Sequence, residues 1–269
     1  MNRVAAIQMA SGPNVDANLN EVAKIIDDAV NVGAGLIVLP ENFAFMGINE
    51  SDIVKVAENS GAGKIQNFLA DQAAKHNVWL VGGTLPLKTD SPDRVKAACL
   101  VFNEKGEQVA RYDKIHLFDV ELVDSNETYA ESKTIEPGDE IVVIDSPFGQ
   151  LGLAICYDIR FPEQFRAMLQ KGVELFAIPS AFTAITGKAH WEILIRARAI
   201  ENLSFVIAAA QGGYHVNGRE THGDSMIVDP WGSVLDRLPR GSGYVISDMD
   251  SERLKNIRRN FPAIEHRRF

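Results

Sequence analysis

Hydrophobic positions recur along this chain with alternating strand-like and helical periods, and that alternation predicts the architecture. Residues 3–9 form a β-prone run. Asn14 is then placed to cap a helix whose apolar positions Val22, Ile25, Ile26, Ala29 and Val30 follow helical spacing. Gly33 and Gly35 end it, and residues 36–39 form a short strand without a polar position, the pattern of a sheet covered on both faces. A helix over 64–76, a strand over 78–81 and a glycine pair follow. Residues 97–102 and 108–113 are extended runs around Asn103-Glu104-Lys105-Gly106, a hairpin signal, so the sheet is mixed. From 115 to 140 there is little periodicity, and a stretch of that length predicts an ordered loop walling a pocket.

The second half repeats the theme. Strands over 141–144 and 151–156, a helix over 162–171 and a strand over 175–178 come first. The helix over 189–201 carries Trp191, Ile193, Leu194, Ile195, Ala197, Ala199 and Ile200. It has almost no polar face, which predicts burial on both sides, at a subunit interface or in a thick internal layer. Strands over 204–210, 225–228, 234–238 and 244–246 follow, with a turn at Asp229-Pro230-Trp231-Gly232. After a helix over 251–259, the basic tail 260–269 reads as a frayed end or as an arm docking on a partner subunit. No fixed period links the halves, and residues 1–269 read as one α/β domain.

Composition narrows the class. With 46% hydrophobic and 23% charged residues, disorder and a disulfide scaffold are both excluded. The formal charge of -9 argues against a nucleic-acid surface, and an acidic substrate would need local arginines. No apolar run approaches the roughly 18 residues of a membrane helix. Cys99 and Cys156, without a secretory signal, are expected to be free thiols of a cytoplasmic protein. The Asn-x-Ser/Thr matches at Asn49, Asn126 and Asn202 are then chance, and neither Gly33-Ala34-Gly35 nor Gly241-Ser242-Gly243 completes a dinucleotide fingerprint.

Candidate chemistry lies at strand ends. Five small or apolar residues lead into Cys156, and Pro162 opens a helix just beyond it. A thiol there faces the crevice in which open α/β sheets bind ligands, although free cysteine also serves as a small buried hydrophobe. Glu41 and Lys114 lie at the ends of two further strands. An acyl-transfer cysteine needs a base and a positive neighbour, because an ordinary thiol is mostly protonated at neutral pH. Glu41 can be the base and Lys114 the cation that favours the thiolate. The six histidines show neither a motif linking them to Cys156 nor metal-ligand spacing.

Leu39-Pro40-Glu41, the stretch from Tyr112 through Lys114 to Leu117, and the stretch from Gly152 through Cys156 to Glu163 resemble, in order, three motifs of the nitrilase superfamily of carbon–nitrogen hydrolases. The resemblance implies a four-layer αββα sandwich of two mixed sheets, dimerising into an eight-layer assembly, with no metal or organic cofactor. It implies catalytic roles for Glu41, Lys114 and Cys156, a supporting glutamate at Glu131, and the backbone N–H of Tyr157 as an oxyanion donor. Residues 180–192, 196–201, 208–211 and 223–232 resemble the deaminated glutathione amidases, which are similar to ω-amidases. That branch implies hydrolysis of deaminated glutathione to 2-oxoglutarate and cysteinylglycine through a thioester; the alternative is an ω-amidase acting on 2-oxoglutaramate or 2-oxosuccinamate. Arg160, Arg219 and Lys188 are the candidate substrate cations, and Phe45, Phe182 and Thr186 the candidate pocket walls. The loop over 121–127 matches no branch pattern and is expected to border the entrance. A reading of another class keeps the fold and makes the protein an idle scaffold or a thiol redox sensor.

Overall fold

The computed structural model describes residues 2–122 and 127–268. Its first half runs β1 (Arg3–Gln8), α1 (Val15–Asn31), β2 (Leu36–Val38), α2 (Asp52–Lys55), α3 (Lys64–His76), β3 (Trp79–Val81), β4 (Leu85–Lys88), β5 (Val95–Phe102) and β6 (Gln108–Asp113). Next come β7 (Asp119–Leu122), β8 (Glu127–Ala130), β9 (Val143–Ser146), β10 (Gly149–Leu153), α4 (Pro162–Gln170), β11 (Leu175–Ser180) and α5 (Ala184–Asn202). The chain closes with β12 (Phe205–Ala210), β13 (Gly212–Tyr214), β14 (Glu220–His222), β15 (Ser225–Val228), β16 (Val234–Leu238), β17 (Gly243–Asp248) and α6 (Ser251–Asn260).

Two mixed sheets result. One has the order β17-β1-β2-β3-β5-β4 with β6 also on β5; the other is β16-β15-β12-β11-β10-β9. Each centres on three parallel strands, β1-β2-β3 and β10-β11-β12, flanked by antiparallel partners. Parallel strands need both faces covered, and β1 shows how. Val4 and Ala6 point into the core between the sheets, while Ala5 and Ile7 point to the layer of α1 and α3. On the far side α4 and α5 cover the second sheet through Phe165, Met168, Trp191, Ile195 and Ala199. The layers are therefore α, β, β, α.

Several boundaries differ from expectation for physical reasons. Asn14 does cap α1, accepting from Ala17 N–H at 3.0 Å. The stretch after Ile115 is not simply a loop: β7 and β8 pair as a hairpin, and a 3-10 turn over Glu131–Lys133 follows. Residues 123–126, with most of the loop expected at the entrance and the match at Asn126, lie outside the described residues. The strand entering Cys156 stops at Leu153, because the Ile155 N–H turns to the Asp158 carboxylate at 2.8 Å. Helix α5 starts at Ala184, where Thr183 caps it. It buries only one face in this chain, leaving Ile185, Ile193 and Ile200 exposed. Finally β17 returns to the first sheet, antiparallel to β1.

Candidate active site

The first-sheet strand β2 runs directly into the segment that carries Glu41. Gly83 adopts φ +57, and a Cβ there would stand 2.1 Å from the Pro40 carbonyl, so only glycine lets the two segments touch. Asn42, also left-handed at φ +57, donates its N–H to Thr84 Oγ1 at 2.8 Å. Lys114 directly follows β6, its N–H bonded to the Ala97 carbonyl. Cys156 opens a 3-10 turn over Cys156–Arg160 at φ +49. A side chain in the left-handed region costs about 1–3 kcal/mol and persists only where surroundings enforce it. Here the enforcing group is Asp158, which is fully buried. Its Oδ2 accepts from Tyr112 Oη at 2.6 Å and Ile155 N at 2.8 Å, and its Oδ1 accepts from His116 N at 3.0 Å. One carboxylate thus ties the cysteine turn to the segment that bears Lys114.

The three separated residues converge. Lys114 Nζ lies 2.7 Å from Glu41 Oε1 and 2.8 and 2.9 Å from the two Glu131 oxygens. Glu131 Oε2 also accepts the Phe118 N–H at 2.6 Å. Burial alone would lower the lysine pKa, but the carboxylates of Glu131 and Glu41 outweigh it and raise it, so the ammonium is fixed. Burial also raises the Glu131 pKa; Lys114 opposes this shift and Glu41 adds to it. The Cys156 thiol moves well up, first through burial and then through Glu41, while Lys114 and the Ala181 N–H pull it down. Lys114 acts to lower the thiol pKa but is outweighed. The net direction favours the protonated sulfur, and Glu41 lies within hydrogen-bonding reach of it.

One cleft holds this cluster, with Tyr157, Arg160, Phe182, Thr186, Phe45 and Arg219 in its walls. Arg160 lies over the rings of Tyr157 at 5.7 Å and Phe182 at 5.2 Å and bonds His190 Nδ1 at 3.2 Å. Thr186 Oγ1 is 2.8 Å from Thr183 Oγ1, and Phe182 packs on Trp191. Lys188 is not brought to the cleft; it stands exposed on α5. Sequence reasoning missed Asp158, which shares the cysteine motif, and Gln211, a lone polar residue ending the apolar run of β12. Both are fully buried; polarity directly after the all-apolar strand β12 was the available signal for Gln211, and an acidic residue two positions after the cysteine was that for Asp158. No group of three or more His, Cys, Asp or Glu among the described residues could hold a metal ion.

A four-layer αββα sandwich with a buried cysteine, lysine and glutamate at one rim defines a class of hydrolase. The chain matches the family model Carbon-nitrogen hydrolase over residues 3–259 and belongs to that family, whose members act on non-peptide carbon–nitrogen bonds. It is 43% identical to the deaminated glutathione amidase of Synechocystis sp. (strain PCC 6803 / GT-S), over 98% of this chain and 97% of that protein. Among solved structures it resembles the NitFhit protein of C. elegans, with a TM-score of 0.92 and 36% identity over 99% of this chain; it spans 65% of that longer chain. Nit3 of Saccharomyces cerevisiae, a member of branch 10 of the nitrilase superfamily, superposes with a TM-score of 0.89 at 31% identity, over 99% and 96% of the two chains.

Proposed function

We propose that this protein is a cysteine-dependent amidase that hydrolyses deaminated glutathione to 2-oxoglutarate and cysteinylglycine. The observation that carries the reading is a single cleft in which Cys156 adjoins the Glu41–Lys114–Glu131 cluster, with two arginines beside it that have no carboxylate partner among the described residues. The substrate bears two carboxylates, so two unpaired guanidinium groups suit it better than the single carboxylate of 2-oxoglutaramate does. The name carried by the Synechocystis relative supports the same substrate.

In this mechanism Glu41 takes the thiol proton as Cys156 attacks the amide carbonyl. The oxyanion forms beside the Lys114 ammonium and the Tyr157 N–H, which stands at the start of the 3-10 turn where N–H groups lack an intrahelical acceptor. Collapse breaks the C–N bond, and the proton on Glu41 passes to the departing nitrogen, leaving a thioester. Water, deprotonated by Glu41, then releases the acid and restores the thiol. Glu131 holds the lysine in place through both of its oxygens. Arg160, with the walls of Phe182, Thr186 and Phe45, receives the acyl half.

We further propose a homodimer built on the outer face of α5. Ile200 lies against Gly232, next to Trp231, which packs edge to face on Phe261 at 5.4 Å; Ile193 (69% exposed) lies two helical turns before Ile200, and this patch would draw the C-terminal tail into the interface. The two unbridged thiols, Cys99 and Cys156, support a cytoplasmic setting. The deciding experiment is a product assay on deaminated glutathione, 2-oxoglutaramate, 2-oxosuccinamate, N-carbamoyl amino acids and simple nitriles. Release of cysteinylglycine from the first at the highest kcat/KM is expected. Turnover of 2-oxoglutaramate without deaminated glutathione contradicts the substrate, and oxygen addition to Cys156 with no acyl adduct contradicts the chemistry.

A further inference from the structure

We infer that Arg219 recognises the carboxylate of the departing amine and so selects substrates by their leaving group, an inference that rests on the substrate proposed above. The two arginines of the cleft are mounted differently. Arg160 closes the turn that begins at Cys156 and is clamped between two aromatic rings, so its position is fixed relative to the sulfur. Arg219 belongs to a separate element, the hairpin of β13 and β14, whose outer residues Tyr214 and Val216 are 75% and 73% exposed. Asn217 of the same hairpin donates to the Gly47 carbonyl at 2.9 Å, carrying the hairpin to the opposite wall at the mouth.

The guanidinium is held but not consumed. Its Nη2 donates to the Ala181 carbonyl at 2.7 Å, and its Cζ lies over the Tyr129 ring, 5.1 Å from the centroid. Its Nε is buried without an acceptor among the described residues. Nη1 has no hydrogen-bond partner among the described residues, so on an arginine that lines the cleft it is the nitrogen open to an acceptor on the ligand. A guanidinium anchored at one nitrogen still presents a fork suited to a carboxylate.

The reaction decides which carboxylate. After attack the acyl half stays bonded to Cys156, next to Arg160, while the amine must leave through the mouth, where the Arg219 hairpin lies. Cysteinylglycine ends in a carboxylate, and ammonia offers none. Arg219 therefore distinguishes a dipeptide leaving group from ammonia, whereas Arg160 serves the acyl half common to both.

The test compares deaminated glutathione with its C-terminal glycinamide, which differs only by loss of that charge. The wild type should prefer the acid by about 10- to 100-fold in kcat/KM, the range expected for a charge-assisted hydrogen-bonded pair. Arg219→Gln should reduce the preference to within about threefold of unity, and Arg219→Lys should restore part of it. Arg160→Gln should slow both substrates while the preference for the acid persists. A wild type that does not distinguish the two, or an Arg219→Gln enzyme that keeps the full preference, overturns the inference and leaves the proposed substrate standing. A wild type that releases cysteinylglycine from neither compound overturns the proposed substrate itself.

Discussion

The side-chain nitrogen of Gln211 donates to the main-chain carbonyl of Glu41 at 3.0 Å, so the residue that follows β12 of the second sheet holds the Glu41 segment carried by the first. The same nitrogen donates to Ser11 Oγ at 2.7 Å, and Gln211 Oε1 accepts the Ser11 N–H at 2.9 Å. Ser11 Oγ passes the chain on to the Phe43 carbonyl at 2.9 Å. The segment around Glu41 is thereby pinned from outside its own strand.

Gln211→Leu keeps the volume and removes all three bonds, stranding the Ser11 N–H and the Glu41 carbonyl. A stranded buried polar group costs about 1–3 kcal/mol. The variant should unfold at lower denaturant, and its kcat should fall about tenfold or more, as expected when a reacting group is displaced by a fraction of an ångström. Denaturant melts with steady-state kinetics check both; an unchanged kcat in a destabilised protein shows that Gln211 supports the fold alone.

Tyr112→Phe isolates one link of the Asp158 network. It deletes the 2.6 Å bond to the carboxylate and the acceptor of Gln164 Nε2 at 2.9 Å, while the ring stays buried. Loss of a hydrogen bond to a buried charge should destabilise by about 1.5–3 kcal/mol. Alkylation of Cys156 by chloroacetamide should change rate in this variant, because the turn that aims the sulfur loses a tether. Equal alkylation rates with lowered stability would separate the tether from the chemistry.

His215 makes a prediction about pH. It is buried, with Nδ1 2.8 Å from the Ser11 carbonyl and Nε2 2.8 Å from Thr221 Oγ1. Burial lowers its pKa below the ordinary value near 6.5; the Ser11 carbonyl opposes this and Arg219 reinforces it. The unfolded chain therefore binds a proton that the folded protein resists. The stabilising contribution is full above about pH 6.5 and is lost as pH falls through the lower folded value. Urea unfolding at pH 7.5 and at pH 5 should show a larger drop for the wild type than for His215→Gln. Identical drops exclude His215 as a source of acid lability.

Much of the fold was legible because its strands are buried on both faces and its helices are amphipathic, patterns that hydrophobic spacing reports directly. The ends of those strands located Glu41, Lys114 and Cys156. What stayed hidden depends on long-range partners. Hairpins β7–β8 and β13–β14 are short and mostly polar or half-exposed, so no apolar alternation marks them. The return of β17 to β1 is a choice of partner that its own residues do not encode. Glu131 opens a 3-10 turn after such a hairpin and was accessible only through family resemblance. The outer face of α5 shows the converse: its apolar positions were plain in the sequence, but only the structure separates the covered face from the exposed one.

In the proposed mechanism Lys114 is the cation beside the developing oxyanion. Lys114→Met should lower kcat by about 10²–10³, the effect of losing one oxyanion donor. It also leaves Glu41 and Glu131 facing each other without their shared partner, so stability should fall as well. Single-turnover kinetics and a thermal melt check the two effects, and a kcat within threefold of the wild type rules the role out.

The central claim is covalent catalysis at Cys156. Rapid-quench mass spectrometry of the wild type mixed with deaminated glutathione tests it most directly. The account predicts a 2-oxoglutaryl group on the peptide containing Cys156, formed as cysteinylglycine is released, and neither event with Cys156→Ala. An acyl group on another residue, or turnover by Cys156→Ala at the wild-type rate, would contradict it.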